Sequence, residues 1–316
     1  MIRFVLGLAV GAVVALGQVR IDTGEAEAVL GIAAGKDPAP LWTSEGYARL
    51  KKRDAEFGRA LTDADFKKFA ESASVKQQAP ALAATLEEWK KADIEAIATR
   101  VRSYLPEEAK LRATVYIVIK PQSNSFVYDL AHHPAIFLRL DPAKSKAEFD
   151  NTVAHELHHV GFASIPQANS SSWSDQKRAA IEWVGAFGEG LAMLAAVGFP
   201  DVHPHMMSPP ADRARWDADM RNFPRDLKAV EKFLLDVLAG KLDKAEQQKQ
   251  GMAFFGVQGP WYTVGWKMAV VVEEAKGRAA LIDCMHDMRK LLIAYNQAAK
   301  GQSLPVWSLE LLEQLV

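Results

Sequence analysis

The segment that most constrains this chain runs from Ser145 to Val160 and reads Ser-Lys-Ala-Glu-Phe-Asp-Asn-Thr-Val-Ala-His-Glu-Leu-His-His-Val. Ser145 with Glu148 three residues later is a capping box, in which each side chain satisfies a backbone N–H that a helix start leaves orphaned, so a helix is expected over 146–162. At 100° per residue Phe149, Val153, Leu157 and Val160 fall within about 80° of one another, which commits that face to core. His155 and His159 are four apart, advance by about 400°, and project together from the opposite side. Two imidazoles so placed have metal-chelating separation, and Glu156 stands where its carboxylate can reach a water on the metal without being a ligand. The helix must therefore have one side in a core and the other lining a cleft.

A catalytic zinc normally takes three protein ligands and leaves one position to water, so another element must supply the third. The next helical stretch, 175–197, offers Glu182 and Glu189, seven apart and therefore on one face. Glu189 sits in Phe187-Gly188-Glu189-Gly190-Leu191-Ala192. Glycine lowers helix propensity but lets two backbones approach closely enough to share an ion. Glu189 is the preferred ligand. Glu182 is the alternative, or else it orients a ligand histidine or serves as a buried hydrogen-bond partner. Tyr262, just after Gly259-Pro260 at an expected helix start, reads most plainly as an interfacial tyrosine in a Trp-rich patch. His132 and His133 read as loop residues, and Cys284 as a buried free thiol that His286 is not placed to activate.

The rest of the chain sets the frame. Helices are expected over 43–58, 62–73 and 80–104, then strands at Leu111–Lys120, Phe126–Leu130 and Ala135–Leu140, then helices over 146–162, 175–197, 211–222, 224–239, 260–276, 278–296 and 305–315. Lys241–Gly251, charged and glutamine-rich, reads as a solvated loop, and the strand near Ala135–Leu140 as an edge to which an extended peptide can add. Helices, then a small sheet, then many helices define an α+β fold, mostly helical, with the sheet just ahead of the histidine helix. The organisation expected is a leader over 1–17, an N-terminal helical region over 18–110, a catalytic core over 111–200 and a C-terminal helical region over 201–316. Arg3 ahead of the apolar run Phe4–Leu16, with small residues at Ala15 and Gly17, has the pattern of a cleaved export signal, and the run is too short to span a bilayer. The expected location is periplasmic or extracellular, with no stable membrane span after cleavage. With 38 basic against 39 acidic residues and a net charge of -1, the chain has no field for broad nucleic-acid binding. One cysteine permits no internal disulfide, and 316 residues can stabilise an exported domain by core burial alone.

His155-Glu156-x-x-His159 followed thirty residues on by Glu189 resembles the gluzincin metallopeptidases. The Gly-Glu-Gly-Leu-Ala run and the later segment Trp261-Tyr262-Thr263-Val264-Gly265-Trp266-Lys267-Met268-Ala269 resemble poorly characterised secreted zinc-peptidase families. The likeness is specific over 145–197, weaker to 296 and absent before 110. It implies a zincin-like fold, Zn2+ held by His155, His159 and Glu189, Glu156 as general base, and a peptide or protein substrate. The metal-assisted hydrolysis so implied needs a donor to the developing oxyanion, for which Tyr262 is the candidate and His203 and His205 are rivals. Met193 stands where many gluzincins carry an aspartate, so outer support for a ligand histidine must come from elsewhere, and the lack of a Gly-x-Met-Glu-Asn segment speaks against an aminopeptidase. Two other functions compete: a metal-stabilised peptidase-like binding protein without turnover, and a metal-free helical interaction module.

Overall fold

The computed structural model describes residues 19–59 and 61–316. The leader expected over 1–17 lies outside the described residues. The chain opens with β1 (Val19–Asp22), then α1 (Gly24–Ala33), α2 (Ala39–Thr43), α3 (Glu45–Glu56), α4 (Asp63–Ala70), α5 (Ala73–Trp89) and α6 (Ile94–Arg102). Three strands follow, β2 (Ala113–Val118), β3 (Phe126–Tyr128) and β4 (Ala135–Arg139). Next come α7 (Lys146–Ala163), α8 (Asp175–Val184), a 3-10 turn at Gly185–Phe187 and α9 (Gly188–Val197). The remainder is helical: α10 (Pro210–Arg221), α11 (Phe223–Leu238), α12 (Lys244–Ala253), α13 (Pro260–Lys276), α14 (Arg278–Asp283), α15 (Arg289–Ala299) and α16 (Leu309–Leu315). The fold is α+β and mostly helical, with the small sheet preceding the histidine helix.

The sheet has the order β1-β2-β4-β3, with β1, β2 and β4 parallel and β3 antiparallel to β4. All six residues of β2 are buried, which accounts for its unbroken Ala-Thr-Val-Tyr-Ile-Val run, since a parallel strand covered on both faces has no polar side. Two features depart from the sequence expectation. Residues 19–43 hold a strand and two helices where none was expected; β1 is four residues long, two of them charged, and its partner is nearly a hundred positions away (Val19 opposite Ala113), so no local signal marks it. The edge is β3 rather than the strand at Ala135–Leu140, because β4 lies between β2 and β3. Peptide addition to β4 is therefore excluded.

The expected helix 80–104 is two helices. α5 starts earlier, where the Ser72 hydroxyl accepts from Val75 N–H, and carries Pro80 inside it; α6 restarts where Asp93 accepts from Ala96 N–H. Lys241–Gly251 is mostly α12 rather than a loop, begun by the Asp243 carboxylate accepting from Glu246 N–H at 2.8 Å. The stretch 278–296 is likewise broken by a 3-10 turn at Cys284–His286.

The centre of the molecule is α9, packed between α7 and α13, with α11 against α8. A Cβ built at Gly190 would overlap the Trp266 nitrogen and the Gly265 carbonyl carbon, so α9 and α13 meet backbone to backbone. The close approach expected of the glycine-flanked segment is divided between two neighbours, and at Gly190 it is made to α13. Gly188 is the residue that faces α7, its Cβ position 3.2 Å from the Phe162 ring. At the start of α13 the fully buried Trp261 stacks on Trp183 at 6.1 Å, meets Phe187 edge-on at 5.1 Å and donates its indole N–H to Gly251 O at 2.8 Å. That anchorage sets the direction of its neighbour, Tyr262.

Candidate metal centre

The capping box forms as the sequence requires: Ser145 N–H donates to Glu148 Oε2 at 2.9 Å, and the Ser145 hydroxyl accepts from Glu148 N–H at 3.2 Å. Phe149, Val153, Leu157 and Val160 are buried, so the rotation of α7 is fixed by its apolar stripe and His155 and His159 are turned toward α9. There the chain brings three atoms to one point. His155 Nε2 lies 3.1 Å from Glu189 Oε2, His159 Nε2 lies 3.2 Å from the same oxygen, and the two ring nitrogens are 3.1 Å apart. Among the described residues this is the one group of three His, Cys, Asp or Glu side chains whose ligand atoms converge.

The triangle suits a cation. Donors bound tetrahedrally at about 2.0–2.1 Å stand roughly 3.4 Å from one another, and a two-histidine, one-carboxylate set is a catalytic zinc set. Electrostatics agree. Burial pushes the Glu189 carboxyl up, but the His159 charge and hydrogen bonds from both histidines outweigh it and hold the group well below the usual carboxylate range. Burial works to lower His159, yet the Glu189 charge and hydrogen bond leave its pKa raised. An ionised, half-buried carboxylate raising the basicity of an imidazole is a pocket of negative potential. His155 Nδ1 is buried without a protein partner.

Glu182 is not part of the cluster. It shares a helix face with Glu189, but seven residues are about 10.5 Å of helix, so only one of the two can reach the histidines. It is exposed, on the rim of another cavity. His158 is buried away from the cluster against Phe162, and burial, then the neighbouring histidine charges, takes its pKa down to about 3.

Beside His155 opens a polar cleft of about 280 Å³, walled by α7 (Glu148, Asn151, Thr152), Met193, and the residues His205, Gln258 and Tyr262. The Tyr262 ring lies nearly parallel to that of His155, 6.2 Å away. Burial, then the charge of Glu189, raises its pKa well above the ordinary phenol, so the hydroxyl keeps its proton and can donate. His205 is buried, accepts or donates through Nδ1 to the Ser208 hydroxyl at 3.0 Å, and leaves Nε2 without a partner; burial, then His203, lowers its pKa, so the ring is neutral. His203 does not line the cleft; it pairs with Asp217 at 3.1 Å. Glu156 follows His155 on α7, half-buried, and its charge is felt by both His159 and Tyr262.

Gln258 was not foreseen. It adopts a left-handed backbone (φ 68°), unusual for a non-glycine residue, and its Oε1 is buried without a partner on the cleft wall. The Phe-Gly-Val-Gln-Gly-Pro context marks a turn but nothing chemical. Cys284 is buried, its thiol donating to Ala280 O and pushed up to about 11 by burial; His286 pairs instead with Glu108 at 2.7 Å. His132 sits exposed in the β3–β4 loop beside Asp129, far from any ligand role.

A mostly helical α+β chain whose central helices bring His, His and Glu to one point has the donor set of a zinc protein. The chain belongs to the family described as "Putative zinc dependent peptidase (DUF5700)", which matches residues 44–303 and so spans every residue of the centre and cleft. No curated protein and no solved structure matches it.

Proposed function

We propose that this protein is an exported zinc metallopeptidase of the gluzincin kind, in which His155, His159 and Glu189 hold the metal and Glu156 is the general base. The observation that carries the reading is the convergence of the three ligand atoms at 3.1–3.2 Å, on a helix that also places a carboxylate next to the first histidine. Zinc held there would supply a Lewis acid and lower the pKa of an adjacent water to about 7. Glu156 then takes the proton of the attacking water and passes it to the leaving amine, so that one water is consumed and an acid and an amine are released. Tyr262, protonated and beside His155, donates to the carbonyl oxygen as charge develops on it; His205, neutral and on the same wall, is the second group that can do so. Export rests on the leader-like residues 1–17, and the substrate class, a peptide or protein, on the family and the cleft.

The test is metal content together with cleavage of a diverse peptide library by the purified mature chain. One zinc per chain and chelator-sensitive cleavage support the proposal. Zinc whose removal lowers the melting temperature, with no peptide cut, points instead to a metal-stabilised binding protein. A chain that takes up no zinc overturns both.

A further inference from the structure

Three glycines interrupt the apolar stretch that carries Glu189, and two of them have a packing reason: Gly188 meets Phe162 of α7, and Gly190 meets Gly265 and Trp266 of α13. Gly185 has none. Its backbone is ordinary and helical (φ -57°), and nothing lies within 4 Å of where its Cβ would be. In such a place glycine is a poorer helix former than alanine and gains nothing in packing. What its bare backbone does is border a cavity of about 460 Å³. The floor is apolar, made by Phe162, Trp173, Ile181 and Met288, while Arg178 and Glu182 stand exposed at the rim. The walls are held in place. Trp173 lies under the Arg289 guanidinium at 4.5 Å, Ala168 N–H donates to His286 O at 3.0 Å, and the Gln167 amide to Met285 O at 3.3 Å.

The cavity lies on the line of the metal centre. Phe162 follows His159 by three residues on the same face of α7, about 4.5 Å along the helix, and Gly185 precedes Glu189 by four, about 7.5 Å along the chain because the 3-10 turn at Gly185–Phe187 rises faster than an α-helix. The polar cleft begins in the other direction on both helices, at Thr152 before His155 and at Met193 after Glu189. The apolar cavity and the polar cleft thus lie on opposite sides of the centre along these helices, and an extended peptide advances about 3.3–3.4 Å per residue.

We infer that the 460 Å³ cavity is a specificity subsite for a large apolar side chain, aromatic above all, one or two residues from the bond that is cut, and that Gly185 keeps it open. The inference rests on the peptidase reading and names the substrate class for that site. Gly185→Leu adds a side chain where the Cβ position is open, and Ala168→Trp adds bulk from another wall. Cleavage of matched peptides that carry Phe or Ala at the selected position is compared in wild type and both variants, with zinc content measured alongside. The Phe-to-Ala ratio of kcat/KM should be high in wild type and fall about tenfold or more in each variant that folds and holds zinc. A ratio near one in wild type, or one that neither variant changes, overturns the subsite and leaves the peptidase reading intact. Binding of N-acetyl-phenylalaninamide, followed by Trp173-region chemical shifts, decides the matter even for a chain that cuts nothing: binding that Gly185→Leu abolishes supports the subsite, and no binding to wild type overturns it.

Discussion

Two buried glutamates show how differently one fold can treat the same group. Glu25, on α1, is 1% exposed; one carboxyl oxygen accepts from Ile119 N–H at 2.8 Å and the other has no partner. Burial pushes its pKa up to about 8, and the Ile119 N–H and the charge of Lys120 offset that only in part. Lys120 is itself buried and pulled down to about 8, its amine satisfied by Gln122 O and Asn124 Oδ1, both at 2.9 Å. That corner of the sheet drives both ions toward neutrality. Glu189 is also desolvated, yet two imidazoles keep it ionised. Burial alone therefore does not mark a functional carboxylate. What marks it is a set of neighbours that leave it charged and aimed at a point other donors share.

The contrast breaks most visibly at Glu189. Glu189→Gln should cost zinc occupancy at micromolar metal and lower peptide cleavage by about a thousandfold or more, whereas Glu25→Gln should leave one zinc per chain. Metal analysis of the two variants side by side checks this, and zinc loss in Glu25→Gln would erase the distinction. Next is the packing that carries the centre. Gly190→Val forces α9 and α13 apart and should cost about 3 kcal/mol or more, read as a large drop in melting temperature, whereas Gly185→Ala should not destabilise.

Tyr262→Phe should lower kcat by about a hundredfold with zinc content and KM nearly unchanged, because the hydroxyl acts on charge that appears only in the transition state. If Tyr262→Phe is silent and His205→Ala carries the fall, the donor is His205. Glu25 acts through pH rather than through the centre. Its folded pKa of about 8 lies above the ordinary 4.5, so the stability it contributes is complete below pH 4.5 and is lost as pH rises to about 8. Glu25→Gln should therefore flatten the fall in melting temperature between pH 5 and 8, and a wild-type slope that survives in the variant would assign it to other groups.

The legible parts of the site were those written locally. α7 announced itself through Ser145, Glu148 and a stripe of four apolar residues, all within a few turns, and the histidine pair followed from its period. Glu189 and Glu182 could not be separated by helical phase, since both lie on one face. Axial distance separates them, and that depends on how α9 crosses α7. Of the two neighbours that the glycines meet, α7 through Gly188 is within reach of a local reading, while α13 through Gly190 is not, because it lies more than sixty residues downstream. β1 was illegible for the same reason, its pairing with β2 being entirely non-local. Tyr262 and His205 come from separate elements, and only the cleft brings them together while leaving His203 outside.

On the proposed reading Glu156 is a base, and the three-residue centre presents it with an activated water. The direct measurement is single-turnover cleavage of one library-selected peptide by zinc-loaded wild type beside zinc-loaded Glu156→Gln. The expected result is one zinc in each, with the rate in the variant down by about a thousandfold or more. Equal rates at equal zinc content would contradict the account.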